Sequence, residues 1–240
     1  MSLIEATVVL GVVSMLTAVL APAVRNYVGS AQQTAAQRGV QTIGSALVQM
    51  LTDTGELWVS RDGNGASATT PPSHASANRA DLLVSDGSTP AVNTARSVGG
   101  PPDWGTAVNN TTVQKLEYYL TTNSPSNTSA NAYRSATNMG VTTQYDPDGA
   151  GTYNAEHAWR GPYVPGPIGA DPWGNRYRVN VQLLTPKGIQ LAASSLVLGV
   201  GQRAAVFVIS SGPNRILDTA FLQTADAFVA GGDDLIFRIQ

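Results

Sequence analysis

The strongest candidate for chemistry in this 240-residue chain is a set of oxygen-bearing side chains near its end. Ser211, Asn214, Asp218, Asp233 and Asp234 lie on two loops at either end of the segment Leu217–Gly232. A hydroxyl, an amide and three carboxylates suit a hard cation, and calcium takes six to eight oxygen ligands. The same residue types also cap turns and face water, and their spacing leaves both uses open.

Other candidates are weaker. Asp146-Pro147-Asp148-Gly149, with Glu156 nearby, resembles the opening of an EF-hand loop, but the twelfth position from Asp146 is His157 where that loop needs Glu. A plain turn is the expectation there. His74 and His157 stand far apart, and neither belongs to a recognisable motif. No nucleophile elbow, P-loop or dinucleotide fingerprint occurs. The chain has no cysteine, so thiolate chemistry and disulfides are excluded. The expectation is a protein that is not an enzyme. Asn109, Asn110 and Asn127 each open an N-x-[ST] sequon and are candidate glycosylation sites, as are the Ser/Thr-rich loops for O-linked sugar.

Any such loop needs a scaffold, and the scaffold changes character along the chain. Ser2–Val24 is almost wholly apolar and carries a single charge, Glu5; the next is Arg25. That is the length of a membrane-spanning helix, about 20 residues. A lone carboxylate is unusual in it, because a charge at mid-bilayer costs roughly 2.5–3.5 kcal/mol. Pro22 is unusual too, since it removes a helix hydrogen bond and crowds the carbonyl of Ala18. From Arg25 to Asp53 the apolar residues Val28, Ala31, Ala35, Ala36, Val40, Ile43, Leu47, Met50 and Leu51 recur at steps of three and four, one stripe of an amphipathic helix. The two stretches predict one helix from about Ser2 to Asp53, stopped by Gly55. Gly11, Gly29, Gly39 and Gly44 lie within it and mark, with Pro22, where it bends or where a partner approaches closely.

Residues 55–158 are rich in Gly, Ser, Thr, Asn and Pro, which predicts long loops with one short helix over Thr112–Thr121. Trp104, Tyr118, Tyr119, Trp159 and Tyr163 are expected to pack in a core or interface. In residues 159–240, Asp171-Pro172-Trp173-Gly174 has the residue order of a type I turn. The runs RYRVNVQLL, IQLAASSLVLGV, AAVFVIS and DLIFRIQ predict antiparallel strands, with Val206, Val208, Leu235 and Phe237 on a face that covers the helix. With 12% charged residues and a net charge of −2, no basic run points to nucleic acid as a main partner.

The two ends of the chain together resemble a known family. S-L-I-E before an apolar helix with proline at position 22 is similar to the mature N-terminus of type IV pilins and type II secretion pseudopilins. W-R-G-P-Y, D-P-W-G-N-R-Y and S-S-G-P-N followed by G-G-D-D resemble the C-terminal half of major pseudopilins. Residues 60 to 155 have no counterpart in the resemblance.

The resemblance implies an α+β fold. A long N-terminal helix, its first half transmembrane (residues 1–24) and its second amphipathic (residues 25–54), packs on a small antiparallel β-sheet head. A loop-rich variable region (residues 55–158) precedes the pseudopilin-like sheet (residues 159–240). It implies a filament subunit, made as an inner-membrane precursor and assembled into a helical homopolymer at the cell surface. A prepilin peptidase and an assembly ATPase with its platform are the implied partners. Met1 matches the processed, methylated position, where the family usually has Phe, and is read either as that residue or as an initiator. Glu5 is expected to pair with a neighbour's N-terminal amine, and Pro22 to sit in a segment that unwinds between about Ala18 and Gly29 on assembly. Calcium is the implied cofactor at the Ser211–Asp234 loops, where Gly212-Pro213-Asn214 replaces the family's Gly-Ala-Asp and has one carboxylate fewer. An adhesive pilin, or an anchored minor pilin that primes assembly, is the alternative role.

Overall fold

The computed structural model describes residues 2–55, 59, 80–93, 104, 113–127, 133, 158–184 and 203–239. The candidate positions Met1, Asn109, Asn110, Asp146, Asp148, Glu156, His74 and His157 lie outside the described residues, as does the predicted strand IQLAASSLVLGV.

One helix, α1, runs from Leu3 to Thr54, 52 residues and about 78 Å of rise. Its start is fixed by a capping box. The Ser2 hydroxyl accepts from the Glu5 N–H at 3.3 Å, and the Glu5 carboxylate accepts from the Ser2 N–H at 2.9 Å. Gly55, at φ 69°, ends it in the left-handed conformation that an L side chain resists. The helix continues through Pro22 and across the whole Ala18–Gly29 segment. The proline deletes one bond of the ladder, and the turns on either side hold the rest.

The other elements are short. They are β1 (Leu82–Val84), β2 (Ala91–Val92), β3 (Val113–Lys115), α2 (Leu116–Leu120), β4 (Arg178–Val179), β5 (Phe207–Ser210), β6 (Ile216–Leu217) and β7 (Leu235–Arg238). Five strands form a sheet in the order β3-β1-β4-β5-β7, and β2 pairs with β6 separately. The architecture is α+β, but the sheet is mixed and not antiparallel as the sequence predicts. β1 pairs with β3 in parallel, and β2 with β6 likewise, whereas β1–β4, β4–β5 and β5–β7 are antiparallel. A parallel pair needs a connection longer than a hairpin turn, and the long chain between β1 and β3 supplies it.

The predicted short helix is half right. Val113–Lys115 goes to β3, and only Leu116–Leu120 is helical. RYRVNVQLL is cut short as well. The strand ends at Val179 because the buried Asn180 turns its side chain to the backbone. Its amide donates to the carbonyls of Ala205 and Phe221, and its oxygen accepts from the Phe207 N–H at 2.9 Å. Val181–Leu183 then forms a turn of 3-10 helix.

The sheet lies against the second half of α1. Val208 pairs with Phe237 and with Val179, so all three share a face. Phe237 on that face covers Gly44 of α1, where a Cβ would overlap its ring; Tyr177, two residues from Val179, covers Gly39 in the same way. These two glycines are explained by close approach and not by bending. The buried helix residues are Ala36, Val40, Ile43, Gly44, Ala46, Leu47, Met50 and Thr54, so the covered stripe starts at Ala36; Val28, Ala31 and Ala35 remain exposed. On the other face of the sheet, Phe207 meets Trp104 edge-on at 5.6 Å and Phe228 at 5.0 Å. Trp104 and Trp159 are packing residues, as expected, and each indole N–H is spent on a backbone carbonyl, of Thr219 and Tyr119 respectively.

Candidate functional sites

Two places combine unusual chemistry with a defined geometry. The first is the free half of α1. Leu3, Ile4, Leu10, Met15, Val19 and Leu20 are each more than half exposed, and nothing else in the described chain touches this segment. Among the described residues, α1 is the one helix long and apolar enough to cross a membrane. The only carboxylate of this free half, Glu5, is exposed and held in the capping box with Ser2. Gly11 and Gly29 have no atom near the position of a missing Cβ, in contrast to Gly39 and Gly44. At the far end of the apolar stretch stand Arg25 and Tyr27, the latter 76% exposed.

The second is the loop pair around β6. The structure joins four of the five predicted residues, Asn214, Asp218, Asp233 and Asp234, in one hydrogen-bonded region and leaves the Ser211 hydroxyl out of it. The Asp233 carboxylate accepts from the Asn214 N–H at 3.0 Å, and the Asn214 side-chain amide donates to Asp218 at 3.0 Å. The other Asp218 oxygen accepts from Asn93 at 2.7 Å. Asp234 is buried, and its Oδ2 accepts from the backbone N–H groups of Asp218 and Thr219 at 2.9 and 2.6 Å. Burial pushes the Asp234 carboxyl up to about 6, against the pull of those hydrogen bonds. Gly212 and Gly232 take positive φ, and Cβ atoms there would strike Asp233 and Asp218, so the glycines let the loops close on each other.

Asn214 and Asp218 thus serve each other, with Asn93 as a further partner of Asp218 and the Ile216 N–H as a further partner of Asn214. Ser211 Oγ, Asp233 Oδ1 and Asp234 Oδ1 are buried without a hydrogen-bond partner. Buried oxygens are normally satisfied, so three orphans in one loop pair are the chemistry that a cation with oxygen ligands would meet. The described residues contain no group of three or more His, Cys, Asp or Glu that could hold a metal by themselves. A cation here would therefore rely on the hydroxyl and on backbone carbonyls alongside two carboxylates.

Sequence reasoning missed Asp171 as a structural centre. Its Oδ1 accepts from the N–H groups of Trp173 and Asn175 at 3.0 and 2.8 Å, and its Oδ2 accepts from the Ser210 hydroxyl at 2.7 Å. The predicted turn is present, with the Gly174 N–H on the Asp171 carbonyl, and it is bolted to the end of β5. The Asp-Pro-x-Gly order signals the turn; nothing in it signals the bolt. Of the three sequons, the described Asn127 is exposed at φ 60° on a surface turn. Comparison of the chain with family models, with curated proteins and with solved structures finds no match.

Proposed function

We propose that this chain is the structural subunit of a filament of the type IV pilus or type II secretion pseudopilus kind. The reading rests on the sequence resemblance, and one structural observation supports it most. A single capped helix is divided into a half that grips a sheet and a half that is bare, apolar and without a partner among the described residues. Such a half needs an apolar environment, and lipid or other copies of the same helix supply one.

In this reading the precursor resides in the inner membrane, a prepilin peptidase processes it at Met1, and an ATPase-driven platform feeds it into a homopolymer at the cell surface. In the polymer Glu5 leaves its own helix cap and neutralises the N-terminal amine of a neighbouring subunit. Pairing offsets part of the cost of burying either charge alone. Ser211, Asp233 and Asp234, with Asn214 and Asp218 shaping the loops, hold a calcium ion that staples a chain lacking disulfides.

Electron microscopy of material sheared from cells tests the assembly. Wild-type chain is expected to give filaments, and Glu5→Leu is expected to insert in the membrane with filament yield reduced at least tenfold. Normal filaments from Glu5→Leu sink the assigned role. Calcium is tested separately: it should raise the thermal midpoint of wild type and not that of Asp234→Ala.

A further inference from the structure

We infer that, in the unassembled chain, Glu5 lies in a lipid headgroup layer and not within the hydrocarbon, so that the partner of the free half of α1 is a bilayer held in one fixed register. The inference rests on the membrane-precursor reading above and adds to it the depth of each residue.

Three observations carry it. The first is length. Ala6–Val24 is the uncharged stretch between Glu5 and Arg25, about 28 Å of helix against a hydrocarbon core of about 30 Å. The helix is continuous over all of it, so the charges stand at its two ends and cannot fold back into it. The second is the chemistry of the first turn. The capping box supplies partners for the N–H groups of Ser2 and Glu5, and Ala6 donates to the Ser2 carbonyl at 3.2 Å. The N–H groups of Leu3 and Ile4 precede the first intrahelical bond and point out of the helix end. Hydrocarbon offers them nothing, whereas phosphates and water in a headgroup layer do. The third is the opposite end. Arg25 and the exposed ring of Tyr27 are the residue types that anchor a helix at a membrane surface.

The register has a midpoint. Equal distances from Glu5 and Arg25 fall at Met15, which is 75% exposed in the isolated chain and would be the deepest residue in lipid. Placing Glu5 at the bilayer centre would instead push Arg25 and Tyr27 well beyond the surface and leave the apolar residues before them in water.

The chain has no native cysteine, so single labels can be introduced into the full-length protein without background. Thr7, Leu10, Met15, Val19 and Val24 are replaced by Cys one at a time and spin-labelled. Each variant is reconstituted in phosphatidylethanolamine–phosphatidylglycerol vesicles, and depth is read as accessibility to oxygen against a water-soluble nickel chelate. The expected profile peaks at Met15, with Thr7 and Val24 both near the surface and at least fivefold more accessible to the chelate than Met15. A peak at Thr7, or a flat profile in vesicle-bound protein, overturns the register while leaving the membrane reading in place. Protein that does not float with vesicles overturns both.

Discussion

The two halves of α1 share one hydrogen-bond ladder and differ in almost everything else. From Ala36 onward the helix loses one side to the sheet, and Val40, Leu47 and Met50 are fully buried. Before Gln32 it is exposed among the described residues, although its side chains are more apolar. The glycines repeat the contrast. Gly39 and Gly44 are sockets for Tyr177 and Phe237, while Gly11 and Gly29 face open space. Burial therefore follows from the presence of a complementary surface in the same chain, not from hydrophobicity. In the proposed function, lipid or other copies of the helix would cover the half with the greater need.

The largest predicted effect separates the halves directly. Leu47→Ala should lower the unfolding free energy by about 3 kcal/mol, the usual cost of emptying a core site. Leu16→Ala should change it by less than about 0.5 kcal/mol. Urea unfolding of the detergent-solubilised chain measures both, and equal losses would mean that the apolar half has a partner in its own chain.

The glycines give a smaller contrast of opposite sign. At Gly44 an added methyl must displace the Phe237 ring, at a cost of about 1–3 kcal/mol against a helix-propensity gain of about 1 kcal/mol. Gly44→Ala should thus be neutral to destabilising, and Gly11→Ala should stiffen its half without loss. If circular dichroism shows higher thermal stability in Gly44→Ala than in Gly11→Ala, the socket description fails.

The smallest effect is confined to high pH. Burial, with the Asp171 carboxylate as a lesser cause, pushes the Tyr177 phenol up to about 12. A raised phenol favours the folded state only while it is neutral. That stability is complete below the ordinary tyrosine value near 10 and is lost as pH rises through about 12. The grip on Gly39 should loosen over that window. Tyr177→Phe should retain the grip and narrow the alkaline loss, leaving the part due to Tyr163, which burial also raises. Fluorescence-monitored unfolding against pH follows it, and an unchanged alkaline limb in Tyr177→Phe would acquit Tyr177.

Much of this fold is legible in the sequence. The helix, its Gly55 stop, the Asp171–Gly174 turn and the final strand follow from periodicity and turn chemistry. The start of the covered stripe is not, because Val28 and Ala31 keep the helical period up to the place where the sheet ends. β1 escapes a period-two reading since Leu82, Leu83 and Val84 are all buried, and three residues between loops give no pattern. Its parallel pairing with β3 is a tertiary fact with no local signal. At the oxygen-rich loops the residue types are readable and their division of labour is not. Asn214 and Asp218 look like ligands in a list of oxygens, yet they are each other's hydrogen-bond partners.

The grip between helix and sheet also has a mechanical side. Gln32 reaches the Pro172 carbonyl, Tyr177 sits on Gly39 and Phe237 on Gly44, so the contacts are spread over about 18 Å of helix length and round more than one side of it. A pull along the helix axis loads all three contacts together, and a pull that lifts one end of the helix off the sheet loads the contact nearest that end first. If the chain is drawn by its apolar end, as the proposed function requires, this helix is suited to bear tension and yields first to peeling.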